Sequence, residues 1–194
     1  SAWVALPGTE REARGTAALF PGRADLLLQA DASEARLQAL QAQGRLVDYR
    51  YLLFSTHGYL SPQHPALSSL VLSQVDLGPG TDGYLTAAEW PAYTLRSDLT
   101  VLSACDTGLG RVLPGEGVLG LPYAMFLAGN VNTVMTLWAV DDEASAAFVQ
   151  ALFRRLRDGR DAASALSDTK REFATHARWN HPRYWAPYVL VGAG

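Results

Sequence analysis

Two apolar runs, Tyr49–Ser55 and Leu99–Ser103, constrain the architecture of this chain most. Each is rich in aromatic and aliphatic residues on both of its alternating faces. A strand with one face in water would instead alternate apolar with polar positions. Both runs therefore read as central strands of a sheet with helices packed on either side. Each is also followed by a reactive side chain with a glycine close behind it, in Phe54-Ser55-Thr56-His57-Gly58 and in Leu102-Ser103-Ala104-Cys105-Asp106-Thr107-Gly108. Open α/β sheets bind their ligands beyond the carboxyl ends of the strands, so a thiol and an imidazole carried there can share one substrate carbonyl.

The remaining segments fit between these runs. Thr9 and Glu12 have capping-box spacing ahead of a helix from about Glu10 to Phe20, closed by Pro21-Gly22. Leu26–Gln29 reads as a short strand, and Asp31 or Ser33 as the cap of a second helix that ends at Gly44. His57 is expected in a loop. Beyond it, Ser69–Ser73 reads as a strand, Asp82-Gly83 as a turn, and Thr86 with Glu89 as another capping box, together an insertion or hairpin beside the main sheet. Val118–Leu127 is apolar on nearly every face, which predicts a buried helix, kinked by Pro122 and ended by Gly129-Asn130. Thr133–Leu137 is a further strand. Asp141 or Asp142 caps a long amphipathic helix that turns Phe148, Ala151, Leu152 and Leu156 inward, Asp161 caps the last helix, and Tyr188–Val191 is the final strand. Alternating strands and helices predict a three-layer α/β/α sandwich around a mostly parallel sheet.

Composition narrows the function classes. With 194 residues, 48% of them hydrophobic and 18% charged, the chain buries a sizeable core and is most simply one domain. A net charge of −3, without a basic run, argues against nucleic acid as a partner. The single cysteine, Cys105, excludes an internal disulfide and a multi-cysteine zinc site, which fits a reducing, cytoplasmic compartment. No apolar stretch has the roughly 20 residues of a membrane span. The start at Ser1-Ala2-Trp3-Val4, without methionine, is that expected of a piece of a longer protein.

A lone cysteine is more often a packed residue than a nucleophile, and a histidine after a strand is more often structural. The two together, at the ends of strands expected to be neighbours, read instead as a dyad. The imidazole would favour the attacking thiolate, and the N–H groups of Gly58 and Cys105 would form an oxyanion hole. His64, His176 and His181 have no metal-ligand spacing, and neither a metal nor a cofactor is expected. Gly115-Glu116-Gly117-Val118-Leu119-Gly120 matches the glycine pattern of dinucleotide sites, but about a dozen residues separate it from the preceding strand, whereas the fingerprint requires immediate succession.

On these residues the chain resembles the CHAT family of caspase-like cysteine peptidases, in the clan of caspases, separase and gingipains. The likeness is carried by Leu6-Pro7-Gly8-Thr9, Tyr51–Gly58, Asp82–Glu89, Val101–Gly110, Gly115–Gly120, Leu137–Glu143 and Tyr184–Gly192. It covers nearly the whole chain from Leu6 onward, so residues 1–194 are taken as one such domain. The resemblance implies a cysteine endopeptidase acting on protein or peptide substrates through a thioacyl intermediate at His57 and Cys105. It also implies an upstream tetratricopeptide repeat or other regulatory domain. Asp141 and Asp142 fall in a segment that resembles the separase loop lining the pocket for the residue before the cut, and Asp106 follows the nucleophile. Carboxylates at these positions would favour arginine or lysine there. For Asp141 and Asp142, helix capping is the competing role. The alternative to the enzyme is a noncatalytic module that docks partners through the crevice or through Tyr184 and Trp185.

Overall fold

The computed structural model describes residues 3, 6–59, 61, 63–103 and 117–193. The two apolar runs form β1 (Tyr51–Ser55) and β5 (Leu99–Ser103), which pair in parallel with Ser55 opposite Ser103 at their carboxyl ends. β5 continues in parallel to β6 (Asn132–Thr136), and β6 pairs antiparallel with β7 (Tyr188–Gly192), giving a four-stranded sheet of order β1-β5-β6-β7, in which β5 is central as expected but β1 is, among the described residues, an edge strand.

Side chains alternate across this sheet into two cores, as the pleat of a strand requires. Tyr51, Leu53, Leu99, Val101, Val134 and Leu190 face α4 (Asp142–Arg157) and α5 (Ala162–Ala174). Leu52, Phe54, Leu102, Met135 and Val189 face the other way, toward α2 (Glu34–Ala42), α3 (Gly117–Leu127) and a second small sheet. The mixed α/β fold is thus layered as predicted, with the mostly parallel sheet in the middle. Phe148 of α4 lies flat on Tyr188 at 3.8 Å between ring centres and meets Phe173 of α5 edge-on at 5.0 Å, which ties both helices to β7.

The predicted hairpin region is this second sheet, three antiparallel strands in the order β2 (His57–Tyr59), β3 (Ser69–Val71) and β4 (Tyr84–Thr86). Its Asp82-Gly83 turn uses the positive φ of +81° at Gly83, a conformation open to glycine at little cost. The buried carboxylate of Glu34, on α2, accepts the N–H groups of Asp82, at 2.8 Å, and of Gly83. Burial pushes the Glu34 carboxyl up, against the lowering effect of those two N–H groups.

Several expectations need correction. His57 is not in a loop: it is the first residue of β2 and pairs with Val71. Leu26–Gln29 is not a strand, because this stretch finds no sheet partner among the described residues; Gln29, at φ +52°, turns it into a 3₁₀ turn, Gln29–Asp31. Thr9 and Glu12 do not form a capping box. α1 (Pro7–Ala17) begins earlier, with proline suited to its first position, and the Thr9 hydroxyl donates back to the Leu6 carbonyl at 2.7 Å. Glu12 is left to turn inward. At Thr86 the capping interaction forms, Glu89 accepting from its N–H at 2.8 Å, but Trp90-Pro91-Ala92 continues only as a 3₁₀ turn. The described part of α3 is not buried all round, since Tyr123 and Phe126 are each 61% exposed.

Candidate active site

The carboxyl ends of β1, β5 and β6 open onto a cavity of about 60 Å³, whose walls include Gly8, Glu12, Thr56, Ser103, Thr136 and Asp142. It lies at the edge where the sequence placed the chemistry. β1 enters it through Thr56, whose hydroxyl donates to the Val71 carbonyl and anchors the bend into β2. The next residue is His57, buried at 7% exposure, with the Trp3 ring 4.9 Å away and tilted by 34°. The Trp3 indole N–H donates to the Tyr84 hydroxyl on β4 at 3.1 Å, so the imidazole is held between this tryptophan and the second sheet. Gly58 is buried on β2 opposite Leu70.

β5 reaches the cavity at Ser103, two positions before Cys105. Cys105 and Asp106 lie outside the described residues, as do Glu116 and the preceding residues back to Ala104. The neighbour relation expected for the strands before His57 and Cys105 is present: β1 and β5 pair directly.

Asp141 and Asp142 are separated in role. Asp141 caps α4, its Oδ1 accepting from the N–H groups of Glu143 at 3.1 Å and Ala144 at 3.2 Å. Asp142 lines the cavity and packs against Gly8 of α1, where an added Cβ would fall 2.4 Å from the Asp142 Cβ.

The group that sequence reasoning missed is Glu12. It is 3% exposed, and its carboxylate accepts hydroxyls from three elements: Ser55 of β1 at 2.5 Å, Ser103 of β5 at 3.1 Å and Ser145 of α4 at 2.8 Å. The Tyr188 hydroxyl of β7 donates in turn to Ser145 at 3.1 Å. Burial pushes the Glu12 carboxyl up, the three hydroxyls oppose that, and the nearby Asp142 charge adds to the rise. The signal available in the sequence was a single glutamate on the inward face of an otherwise amphipathic helix, which its spacing from Thr9 disguised as a cap. The amino ends of β5 and β6 have a separate polar clamp, the buried Asn130, which accepts from Ser97 and Thr100 and donates to Thr133.

Tyr184 and Trp185, the alternative docking aromatics, are half-buried; the Trp185 indole N–H donates to the Asn180 carbonyl at 3.0 Å, and Arg183 covers the Tyr184 ring. Among the described residues no three His, Cys, Asp or Glu side chains converge as a metal site, and no helix is long and apolar enough to cross a membrane.

Comparison with known proteins agrees with this architecture. The family model for the CHAT domain matches residues 1–193. Tetratricopeptide repeat protein 28 of Mus musculus is 31% identical over 140 residues, covering 71% of this chain and 6% of the relative. Its namesake from Homo sapiens is 30% identical over 118 residues, 61% of this chain and 5% of the relative. The chain thus spans only a small part of the length of these relatives.

Proposed function

The chain belongs to the CHAT domain family, a caspase-like family, and from that premise we propose that it is a cysteine endopeptidase whose dyad is His57 and Cys105. One observation carries the reading furthest: the strands that precede these residues are adjacent and parallel, and end together at a cavity. The Cys105 thiolate attacks the substrate carbonyl, forming a carbon–sulfur bond and a tetrahedral oxyanion that the N–H groups of Gly58 and Cys105 stabilise. Collapse breaks the C–N bond, with the His57 imidazolium supplying the proton to the leaving amine. Water then attacks the thioester, His57 takes its proton, and the thiolate is restored.

The substrate residue before the cut is basic in this reading. The support is the cavity wall, where Asp142 lies, so a guanidinium or ammonium entering it meets a carboxylate. Asp141 is committed to the helix cap and is a weaker candidate, and Asp106, next to Cys105 in sequence, is a further acidic candidate. The relatives' name supports an associated tetratricopeptide repeat segment, and in this reading that segment regulates the site. Reporter peptides bearing arginine, aspartate or leucine before the cut test the specificity. Faster cleavage after arginine is expected; equal rates, or preference for aspartate, would overturn the basic pocket.

The alternative, a noncatalytic caspase-like docking module, is favoured by one observation. α3 exposes Tyr123, Phe126 and Leu127 beside a cavity of about 140 Å³ lined by Pro122, Val131 and Val191. Cleavage that requires both Cys105 and His57 would rule out this alternative as a full account.

A further inference from the structure

Glu12 has no part in the dyad chemistry, yet it is buried at the site and accepts three side-chain hydroxyls. Ser55 and Ser103 sit opposite one another in the β1–β5 register, and each precedes a dyad residue by two positions. One carboxylate bridges them, Oε1 taking Ser55 and Oε2 taking Ser103, and Oε2 also takes Ser145 from the first turn of α4. Both strands and both flanking helices therefore meet at a single acceptor, just before the chain leaves the sheet.

An ionised carboxyl only accepts hydrogen bonds, which matches three hydroxyls all donating to it. A protonated one must donate its own hydrogen, so at least one of the three serines has to turn away. A hydrophobic core would have closed this junction with less desolvation cost, because burying an ionised group is unfavourable unless its partners are specific. A costly device at the junction of two dyad-bearing strands points to a role in geometry rather than in stability.

We propose that Glu12 is a positioning residue of the peptidase site, its carboxylate latching the carboxyl ends of β1 and β5 and thereby fixing where His57 and Cys105 stand relative to one another. This rests on the peptidase reading above. Misplacing reacting groups by about 1 Å costs on the order of a hundredfold in rate, so a loosened latch acts on the alkylation step and not on peptide recognition. Among the described residues, the charged or titratable groups facing Glu12 are Asp142 from α4 and, through Ser145, Tyr188 from β7, while β1 and β5 turn serine hydroxyls to it.

The test is the rate at which an arginine acyloxymethyl ketone alkylates Cys105, measured across pH for the wild-type chain, Glu12→Gln and Ser103→Ala, with urea unfolding of each. The amide introduced by Glu12→Gln keeps an acceptor and adds a donor in the same space but cannot ionise. The expected result is a maximal alkylation rate lower by about tenfold to a hundredfold in Glu12→Gln, with unchanged probe affinity and undiminished stability. The acid side of the pH profile should also differ from that of the wild type, because the variant carries no ionisable group at this position. Ser103→Ala, which removes one ligand of the latch, is expected to lie between. Wild-type rates and an unaltered acid limb in both folded variants would overturn the positioning role while leaving the peptidase reading intact. If Glu12→Gln does not fold, Ser103→Ala decides by the same criterion. A wild-type chain that the ketone does not alkylate would overturn the peptidase reading itself, and this proposal with it.

Discussion

Gly8 and Gly15 of α1 offer the same substitution, glycine to alanine in one helix, with opposite expected outcomes. The two positions are seven apart and share with Glu12 the helix face turned to α4. On propensity alone either change should stabilise the helix by up to about 1 kcal/mol, less at Gly8 because it lies in the first turn. The surroundings decide otherwise. A Cβ at Gly8 would lie 2.4 Å from Cβ and 2.5 Å from Cγ of Asp142, against the usual carbon separation of about 3.5–4.0 Å. Those atoms are close to the α4 backbone and cannot swing aside, so the helices must part. Overpacking of that kind costs about 1–3 kcal/mol, leaving Gly8→Ala destabilised by about 1–2 kcal/mol. A Cβ at Gly15 meets chiefly Nε2 of Gln150, at 2.1 Å, the far end of a flexible side chain that can rotate away. Gly15→Ala should gain about 0.5–1 kcal/mol. Urea unfolding followed by far-ultraviolet circular dichroism measures both, with an unchanged slope confirming comparable end states. Gly8→Ala as stable as the wild type would refute the close α1–α4 approach from which the argument is built.

Three further outcomes are expected. Asp141→Ala should lower stability by about 1 kcal/mol through loss of the α4 cap while leaving any arginine preference unchanged, whereas Asp142→Asn should reduce that preference; reporter cleavage and thermal melting of both variants check this. Phe148→Ala should cost about 3–5 kcal/mol, because the ring fills the junction of α4, α5 and β7, and a urea midpoint near that of the wild type would contradict the packing. For pH, the Glu12 carboxyl is raised by burial, so the folded chain holds that proton more tightly than the unfolded one. The resulting stabilisation is full below the ordinary glutamate range and is lost as pH rises through the raised value. The stability difference between wild type and Glu12→Gln, followed by urea unfolding from acid to neutral pH, should move in favour of the variant as pH rises; movement the other way would contradict the assigned shift.

What could be read from sequence was set by how local its cause is. β5 was legible because a strand buried on both faces is largely apolar, whereas β1 has the same apolar composition and yet is a half-buried edge strand, since composition does not say how many neighbours a strand has. Asp161 was legible as a cap, and Ser33 and Asp141 each as one of two candidates, because a cap sits directly before its helix and is satisfied within the first turn. Leu26–Gln29 misled because strand formation needs a neighbouring edge, which composition cannot announce. Tyr123 and Phe126 misled because an apolar sequence does not say which of its faces the rest of the chain covers. Glu12 was opaque for the deepest reason: its partners Ser55, Ser103 and Ser145 lie 43, 91 and 133 residues away, and only the folded sheet brings them together. His57 could be named from sequence as a candidate but not placed at the start of β2, since its pairing with Val71 depends on the whole second sheet.

The central claim is a peptidase dyad of His57 and Cys105, and intact mass spectrometry after incubation with an arginine acyloxymethyl ketone tests it most directly. One probe adduct on the wild-type chain, absent from Cys105→Ala and lost or greatly slowed in His57→Ala, is the predicted result. No adduct on the folded wild-type chain, or labelling that is as fast without His57, would contradict it.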